Sequence, residues 1–451
     1  MNKQAVTGNG RKILFATVPG EGHFNPLTGL AKHLLTLGYD VRWYTSIQYA
    51  PKLKKLDIPH YPFVKALEIP ADKINEIFPE REKINNKVKK LNYDLINYFT
   101  KRGPEYYDDI CAIQKNFAFE AVVADVTFTA IPFITDLMKI PVLSIGIIPL
   151  VETSKDLPPA GLGLTPADSW LGSLRDIVLR FAAKHVLFRK ANKVMQEILD
   201  SYSIRHDQQF LFDLGISKAT YYLQSGTPGF EYKRSDLGAN IRFIGSLLPY
   251  NDKKQQTQWF DDRLNRFNRI VLVTQGTVEK DVTKIIIPTL EALKQTDTLV
   301  VVTTGGSQTA ELRANYQYPN VIIEDFIPFD DIMPYVDVYV TNGGYGGVML
   351  SIENRVPMVT AGVHEGKNEI CARVGYFKLG IDLKTETPSA AQMRKAVNEV
   401  MQNNLYKMNI EQLANEFQQY DANKLFAGYV AEVLTSTITV VAEQRYSEKI
   451  Y

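Results

Sequence analysis

Short apolar runs alternate with amphipathic segments along the first half of the chain. Runs rich in β-branched residues predict buried strands, and they are KILFATV at 12–18, VRWYTS at 41–46, AVVADV at 121–126 and PVLSIGI at 141–147. Between them, apolar residues at helical spacing predict helices in NPLTGLAKHLLTLGY at 25–39 and TAIPFITDLMKI at 129–140. Alternation of strands and helices is typical of a parallel, doubly wound sheet.

The same pattern restarts at residue 269, after the polar stretch NDKKQQTQWFDDRLNRFN. Further strands are predicted in RIVLVTQGT, TLVVVTTGG, NVIIEDFIP, VDVYVTNGG and PMVTAGV, and further helices in KIIIPTLEALKQT, DDIMPYV and VMLSIENR. The chain is therefore predicted to hold an N-terminal Rossmann-like domain at 1–240, a linker at 241–262 and a second α/β domain at 263–424. Residues 425–451 are predicted to form a last helix that packs across one of the two halves.

Length and charge narrow the class of protein. A chain of 451 residues exceeds what one hydrophobic core usually supports, which agrees with two domains. The formal net charge of +1 gives no indication of a nucleic-acid or membrane-surface partner. Cys111 and Cys371 stand far apart and fit buried thiols in a reducing cytoplasm. We find no segment typical of a secretory signal or a membrane span, so a cytoplasmic protein is predicted.

His23 is the first candidate for catalysis. It lies in VPGEGHFNPLTGL, where a strand ends at Val18 and a helix is predicted to begin near Asn25 and Pro26. Open parallel sheets bind ligands beyond the carboxyl ends of their strands, and a histidine there can act as a base near neutral pH. Asp125 ends the strand AVVAD and could orient His23, although a carboxylate at that position could equally cap the following helix.

Two glycine-containing stretches follow predicted strands of the second half. TQGT at 274–277 places Gly276 and Thr277 at a strand end, and TNGGYGGVML at 341–350 has its glycines directly before a helix. Bare backbone at a helix N-terminus can approach a pyrophosphate closely, but the same residues would also suit a tight turn. The spacing GGxGG is neither the Rossmann fingerprint nor a Walker A loop. No HExxH, paired CxxC, GxSxG or clear DxD motif occurs, and the scattered histidines predict no metal site.

Two segments together resemble family 1 nucleotide-sugar glycosyltransferases of the UDP-glycosyltransferase type, including bacterial enzymes that modify macrolides and other natural products. GHFNPLTGLAKHLLTLGYDV resembles the acceptor-domain motif of that family, and DFIPFDDIMPYVDVYVTNGGYGGV through RVPMVTAG to ARVGYFKLGI resembles its donor-binding signature. The resemblance covers nearly the whole chain. It implies a GT-B fold, in which two Rossmann-like domains face each other across a cleft and the final helix crosses back to the N-terminal domain. It also implies inverting, metal-independent sugar transfer in which the UDP-sugar is a co-substrate and no cofactor is used.

The resemblance also assigns roles to individual residues. It implies that His23 deprotonates an acceptor hydroxyl and that Asp125 orients the imidazole. It implies that Phe326 stacks on the nucleotide base and that the backbone of Ile327 pairs with the base edge. The implied phosphate contacts are Gly276, Thr277, Asn342, Gly343, Gly344, Tyr345, Gly346 and Gly347. At the positions where the family contacts the donor sugar, this chain has Glu365, Gly366 and Lys367, which are therefore the implied donor-sugar contacts.

Three positions depart from the family pattern. Asn342 replaces a usual histidine, Leu350 replaces a glutamate that binds the ribose, and Gly366-Lys367 replace an Asp-Gln pair. Glu353, one helical turn beyond Leu350, could substitute for the missing carboxylate. The donor is expected to be a UDP-sugar, UDP-glucose above all. A dTDP-sugar is the alternative, because a missing ribose carboxylate could suit a deoxyribose nucleotide as easily.

The expected acceptor is a hydrophobic small molecule that carries a hydroxyl group. PLVETSKDLPPAGLGLTPADSWLG at 149–172 and FTKRGPEYY at 99–107 supply apolar and aromatic side chains for it, although both segments would also suit interdomain packing. The alternatives are a GT-B epimerase and a non-catalytic protein that binds sugar nucleotides. We expect a monomer or weak dimer, with no nucleic-acid partner and no stable membrane insertion.

Overall fold

A computed structural model of the protein describes residues 7–70, 73–251, 258–276, 279–364 and 366–447. Strands and helices alternate along these ranges as the sequence pattern predicts. The strands are β1 (Lys12–Ala16), β2 (Asp40–Tyr44), β3 (His60–Tyr61), β4 (Ala121–Asp125), β5 (Val142–Gly146), β6 (Tyr221–Ser225), β7 (Ile241–Gly245), β8 (Ile270–Thr274), β9 (Leu299–Thr303), β10 (Val321–Glu324), β11 (Val338–Thr341), β12 (Met358–Thr360) and β13 (Gly380–Asp382).

The α-helices lie mainly between consecutive strands. Three of them continue as π-helical turns, at Leu95–Thr100, Ile134–Met138 and Ala183–Leu187. The helices are α1 (Glu21–Thr36), α2 (Ala50–Lys55), α3 (Ile74–Ile77), α4 (Lys87–Asp94), α5 (Arg102–Asn116), α6 (Ile131–Phe133), α7 (Trp170–Ala182), α8 (Arg189–Ser201), α9 (Leu214–Ser217), α10 (Ile286–Leu293), α11 (Thr309–Asn315), α12 (Phe329–Ile332), α13 (Tyr345–Glu353), α14 (Lys367–Tyr376), α15 (Ala390–Gln402), α16 (Asn404–Phe417) and α17 (Ala422–Ser447).

The strands form two parallel sheets, as the alternation of elements predicts. Within the described residues, the first sheet has seven strands in the order β3-β2-β1-β4-β5-β6-β7 and the second has six in the order β10-β9-β8-β11-β12-β13. In both sheets the strand order reverses next to the first strand of the domain, at β1/β4 and at β8/β11. Doubly wound sheets bind their ligands at this point, beyond the carboxyl ends of the strands.

Alternate residues of the central strands face opposite cores. In β1, Ile13 and Phe15 pack in one hydrophobic cluster, whereas Leu14 and Ala16 pack in another. The strands of the second sheet are divided between two clusters in the same way. Because helices cover both faces, a central strand is apolar at every position, which explains the continuous apolar runs in the sequence.

The first sheet extends further along the chain than residue 240. β7 lies within the stretch predicted as linker, because the short run IRFIG pairs with β6 as a parallel edge strand. At the other end of the chain, α17 packs Phe426, Val430 and Leu434 into the core of the first sheet, beside α1. No helix in the described ranges combines the length and the apolarity that crossing a bilayer requires.

The start of α1 differs from the prediction. The helix begins at Glu21, not near Asn25, because the backbone N–H groups of His23 and Phe24 already donate to the carbonyl oxygen of Gly20. Pro26 therefore lies inside the helix and not at its first position. The correction places His23 in the first turn of α1, where the helix backbone fixes its position.

Candidate active site

His23 and Asp125 lie together at the carboxyl edge of the first sheet. β1 and β4 are neighbours, so the residues that follow β1 come close to Asp125 at the end of β4. His23 Nδ1 is 3.0 Å from Asp125 Oδ1, and the histidine side chain is 24% exposed while the carboxylate is fully buried. Since an ionised carboxylate only accepts, Nδ1–H donates to it and the lone pair of Nε2 is left for other chemistry.

Asp125 has a full set of hydrogen-bond partners besides His23. The backbone N–H of Val18 donates to Oδ2 at 3.1 Å, and the backbone N–H of Thr127 donates to Oδ1 at 3.0 Å. The hydroxyl of Thr127 donates to Oδ1 as well, and lies 3.2 Å from His23 Nδ1. Asp125 does not cap the following helix, since α6 begins only at Ile131 with Ala130 as its N-cap. The carboxylate is thus held rigidly against the imidazole.

Thr127 is a site residue that the sequence analysis missed. Its only signal in the sequence is its position two residues beyond an aspartate at a strand end, a spacing at which side chain and backbone can share a hydrogen-bonding turn. The hydroxyl contacts both members of the pair and limits the rotation of each.

Gly20 leaves room for the imidazole ring. A Cβ added to Gly20 would lie 2.6 Å from His23 Cδ2, closer than unstrained carbon atoms approach. The backbone of Gly20 is extended, with φ of 171°, so its lack of a side chain is a matter of space and not of backbone conformation. Next to it, the hydroxyl of Tyr98 donates to the carbonyl oxygen of Pro19 at 2.7 Å and holds the loop in place.

A cavity of about 170 Å³ opens at the carboxyl edge of the second sheet. The residues lining it follow the ends of β8, β9, β10 and β11, and most are small or polar. They are Thr274, Gly276, Thr303, Gly305, Asp325, Phe326, Ile327, Phe329, Tyr339, Thr341, Asn342, Gly344 and Gly347. Six of the implied nucleotide contacts are among them: Gly276, Phe326, Ile327, Asn342, Gly344 and Gly347. Thr277 and Glu365 lie outside the described residues.

Three threonines of this cavity received no role from the sequence, although Thr274 and Thr341 open the stretches TQGT and TNGGYGGVML. Thr274, Thr303 and Thr341 are each the last residue of a strand. Their strands β8, β9 and β11 are neighbours, which brings the three positions to one edge. At the rim, Phe326 keeps 67% of its surface exposed, an unusual state for an aromatic residue beside a pocket.

The four glycines of GGYGG have different reasons to be glycine. Gly343 has φ of +82°, and a side chain there would collide with the sulfur of Cys371, whose pKa is raised to about 12 by burial. A Cβ on Gly347 would lie 2.9 Å from the hydroxyl oxygen of Tyr339. Gly344 has φ of −63°, and a Cβ there would meet nothing closer than 3.9 Å, while one on Gly346 would meet nothing within 4 Å. Folding thus explains two of the glycines, and the open backbone at Gly344 borders the cavity.

Tyr345 faces away from the cavity. Its hydroxyl donates to the carbonyl oxygen of Ser225 at 2.7 Å and accepts from Gln224 Nε2 at 3.2 Å. Both partners belong to β6 of the first sheet, so the tyrosine joins the glycine loop to the other domain. The side chain of Tyr345 therefore does not line the cavity, because packing between the domains sets its direction.

The implied donor-sugar residues lie at the start of α14. Gly366 is the N-cap of this helix with φ of +77°, and Lys367 is its first residue. Lys367 borders a small cleft together with Asn342, Gly362 and Glu386. Asn342 donates through its side-chain amide to the carbonyl oxygen of Gln275. Asn342 borders both the cleft and the larger cavity, so the two are adjacent.

Neither of the two positions considered for a ribose-binding carboxylate lines the cavity. Leu350 is 8% exposed and packs in the core of the second domain. Glu353 is not among the residues that line the cavity, and burial raises the pKa of its carboxyl group. The substitution of Glu353 for the missing glutamate therefore has no support in the geometry.

Glu369 of α14 binds the loop between β5 and α7. Its Oε1 accepts from the backbone N–H groups of Gly161 and Gly163, both at 2.8 Å. Asn368 Nδ2 donates to the carbonyl oxygen of Gly161 at 2.8 Å. Glu369 also pairs with Arg373 at 3.0 Å, and through it connects to Glu231 of the first domain. This loop was predicted to contact the acceptor, and it is held by the domain that carries the cavity.

Comparison with known proteins agrees with this architecture. Residues 176–420 match the family model described as UDP-glucoronosyl and UDP-glucosyl transferase. The 4'-demethylrebeccamycin synthase of Lentzea aerocolonigenes is 31% identical over 414 residues, which are 92% of this chain and 97% of that protein. UDP-glucosyltransferase 1 of Beauveria bassiana is 28% identical over 91% of this chain and 93% of its own.

Solved structures show the same fold. The glycotransferase of kitacinnamycin has a TM-score of 0.73 at 16% identity, covering 94% of this chain and 99% of the other. The calicheamicin glycosyltransferase CalG4 has a TM-score of 0.72 at 17% identity, covering 94% and 98%. The two facing parallel sheets are therefore a GT-B fold, and the chain belongs to the UDP-glucoronosyl and UDP-glucosyl transferase family.

Proposed function

We propose that this glycosyltransferase moves glucose from UDP-glucose to a hydroxyl group of a hydrophobic small molecule, with inversion at the anomeric carbon and without a metal ion. The observation that carries the proposal is the contact between His23 and the buried Asp125 at the edge of the first sheet. The names of related UDP-glucosyltransferases support the choice of nucleotide and sugar.

In this mechanism His23 is the general base. Nε2 accepts the proton of the acceptor hydroxyl, and the oxygen forms a bond to the anomeric carbon while the bond from that carbon to the diphosphate breaks. Asp125 stabilises the imidazolium that results and keeps Nδ1 protonated, because it accepts from Nδ1–H throughout. Attack from the face opposite the leaving group inverts the configuration.

The leaving diphosphate gains negative charge as the bond breaks. Backbone N–H groups near Gly344, at the N-terminus of α13, are suited to stabilise it, because helix N-termini favour anions. The hydroxyls of Thr274, Thr303 and Thr341 are further donors at the cavity. Phe326 offers an exposed ring on which the base can stack.

A dTDP-sugar is the second candidate donor. The observation in its favour is that position 350 holds a leucine and that Glu353 does not line the cavity, so neither position offers a carboxylate to the ribose hydroxyls. A deoxyribose lacks one of these hydroxyls and loses less when no acceptor group faces it.

The test is to incubate the purified chain with UDP-glucose or dTDP-glucose and a panel of phenolic and polycyclic alcohols. We expect transfer from UDP-glucose, a β-glucoside by proton NMR from the α-linked donor, and an unchanged rate after chelation of metal ions. A preference for dTDP-glucose in kcat/KM would support the second candidate. An α-glucoside would contradict the role of His23, since retention requires a different mechanism. Donor-dependent thermal stabilisation without any product would indicate a binding protein.

A further inference from the structure

Helix α7 turns its apolar side toward solvent. Its exposed large hydrophobic residues follow the spacing i, i+4, i+7, i+8 and i+11, which normally marks the buried stripe of a helix. We call this surface the apolar face; it consists of Trp170, Leu171, Leu174, Ile177, Val178 and Phe181, with Val186 on the π-helical turn that follows, and each is between 52% and 75% exposed. Large apolar side chains gathered on one exposed side of a helix are typical of an interaction site.

The opposite side of α7 packs on the protein, with Gly172, Asp176 and Leu179 partly or fully buried. Asp176 is 1% exposed and pairs with Arg175 at 2.7 Å. Arg180 donates to the carbonyl oxygen of Leu157 and fastens the helix to the preceding loop. The helix thus carries most of its large apolar side chains on the outward side, and the hydrogen bond from Arg180 to Leu157 helps to hold it in this orientation.

The same segment concentrates positive charge. From Trp170 to Lys190 there are five Arg and Lys side chains, which are Arg175, Arg180, Lys184, Arg189 and Lys190, against the single acidic Asp176, a formal charge of +4. The whole chain carries +1, so the remainder is −3. The near-neutral total, which gave no indication of a membrane-surface partner, therefore conceals a local basic segment beside an apolar surface.

We propose that the apolar face binds the surface of a lipid bilayer that carries anionic headgroups. A helix with Trp, Phe and Leu on one side and basic residues along it is typical of interfacial helices that lie in the plane of a membrane. The negative remainder of the protein would be repelled by the same surface, so binding would orient the molecule with α7 toward the lipid. A second copy of this chain is a poorer occupant, because a two-fold contact would place the basic segment against itself.

The test is sedimentation of the full chain with vesicles of phosphatidylcholine alone or with about one third phosphatidylglycerol, at low and high salt. We expect at least about tenfold stronger binding to the anionic vesicles at low salt, and weaker binding as salt screens the charges. The double variant Ile177→Ser/Phe181→Ser should lose at least about tenfold of that binding. Arg189→Gln/Lys190→Gln should lose the preference for the anionic lipid.

Leu405→Ser/Met408→Ser is the matched control, because these apolar residues are 39% and 59% exposed on α16. It should bind vesicles like the original chain, and unchanged melting temperatures would establish that all variants fold. Absence of vesicle binding by the original chain would overturn the proposal. If the original chain is a dimer that Ile177→Ser/Phe181→Ser converts to a monomer, a second copy of the chain covers the apolar face. If this variant raises the acceptor KM and leaves vesicle binding unchanged, the acceptor covers it. Vesicle binding does not depend on the proposed transfer reaction, so the two can fail separately.

Discussion

The carboxyl edges of the two sheets differ in how many of their polar side chains already have hydrogen-bond partners within the protein. At the first edge, Asp125 already accepts hydrogen bonds from two backbone N–H groups, a hydroxyl and His23, so the pair is assembled before any substrate arrives. At the second edge, the cavity is lined by small residues and open backbone, beside an exposed Phe326. Proton transfer requires a fixed geometry, whereas a nucleotide supplies most of its own polar groups. We therefore expect the reaction rate to depend on the exact position of the side chains at the first edge, and donor binding to depend on the surface that the second edge offers to the nucleotide.

Removal of the proposed base should have the largest effect. We expect His23→Ala to lower kcat by about a thousandfold, because a positioned general base contributes about 10²–10⁴. Donor binding, followed by thermal shift, should stay unchanged, since the cavity is at the other edge. The matched control is His206→Ala, which removes another histidine beside an aspartate, 3.1 Å from Asp200 in the same domain. Equal losses in both variants would contradict the assignment of His23.

A smaller displacement at the same edge tests whether position decides the rate. Gly20→Ala should lower kcat by about a hundredfold, because the added methyl group must push the imidazole ring from its place. Gly22→Ala is the control two residues along, where a Cβ meets nothing within 4 Å. We expect the donor KM of Gly20→Ala to be unchanged. Full activity of this variant would mean that the imidazole need not stay where the structure has it.

The second edge should respond in KM rather than in kcat. We expect Phe326→Ala to raise the donor KM by about tenfold, since stacking of a base on an aromatic ring contributes about 1–3 kcal/mol. Phe260→Ala, which removes an aromatic residue that is 45% exposed and packs on Tyr335, should leave the donor KM unchanged. An unchanged donor KM for Phe326→Ala would contradict the proposal that this ring stacks on the nucleotide base.

The smallest effect is expected at Gly344 and Gly346, the two glycines of the loop that folding does not explain. Gly344→Ala fits the backbone and should keep the melting temperature, but should raise the donor KM by about threefold to tenfold, because the methyl group hinders approach of the phosphate to the backbone. Gly346→Ala, in the first turn of α13, should leave KM unchanged and stabilise the fold by about 0.5 kcal/mol. A reversed order of the two effects would place the diphosphate nearer to Gly346 than to Gly344.

The sequence predicts most of the fold because each central strand is buried on both faces and each helix has one apolar side. It also predicts that His23 and Asp125 lie together, since parallel strands bring the residues at their carboxyl ends to one edge. The directions of side chains are harder to predict. Tyr345 lies within a glycine run that suggests phosphate, yet it bonds to Ser225, because its direction depends on how the domains meet. That Thr274 and Thr341 lie at the same edge can be predicted only once the strand order is known.

The contact between Glu369 and the loop at Gly161 bears on how this enzyme can diversify. The carboxylate of Glu369 and the amide of Asn368 meet main-chain atoms of the loop and no side chain. At this contact, Gly161 and Gly163 are tied to their identity by φ values of +97° and +64°. We expect the other loop residues to accept substitution without loss of the interdomain contact, which melting temperatures of loop chimeras would measure. Because this loop is the segment predicted to contact the acceptor, we expect its substitution to change the choice of acceptor while the cavity and the pair of His23 and Asp125 stay unaltered.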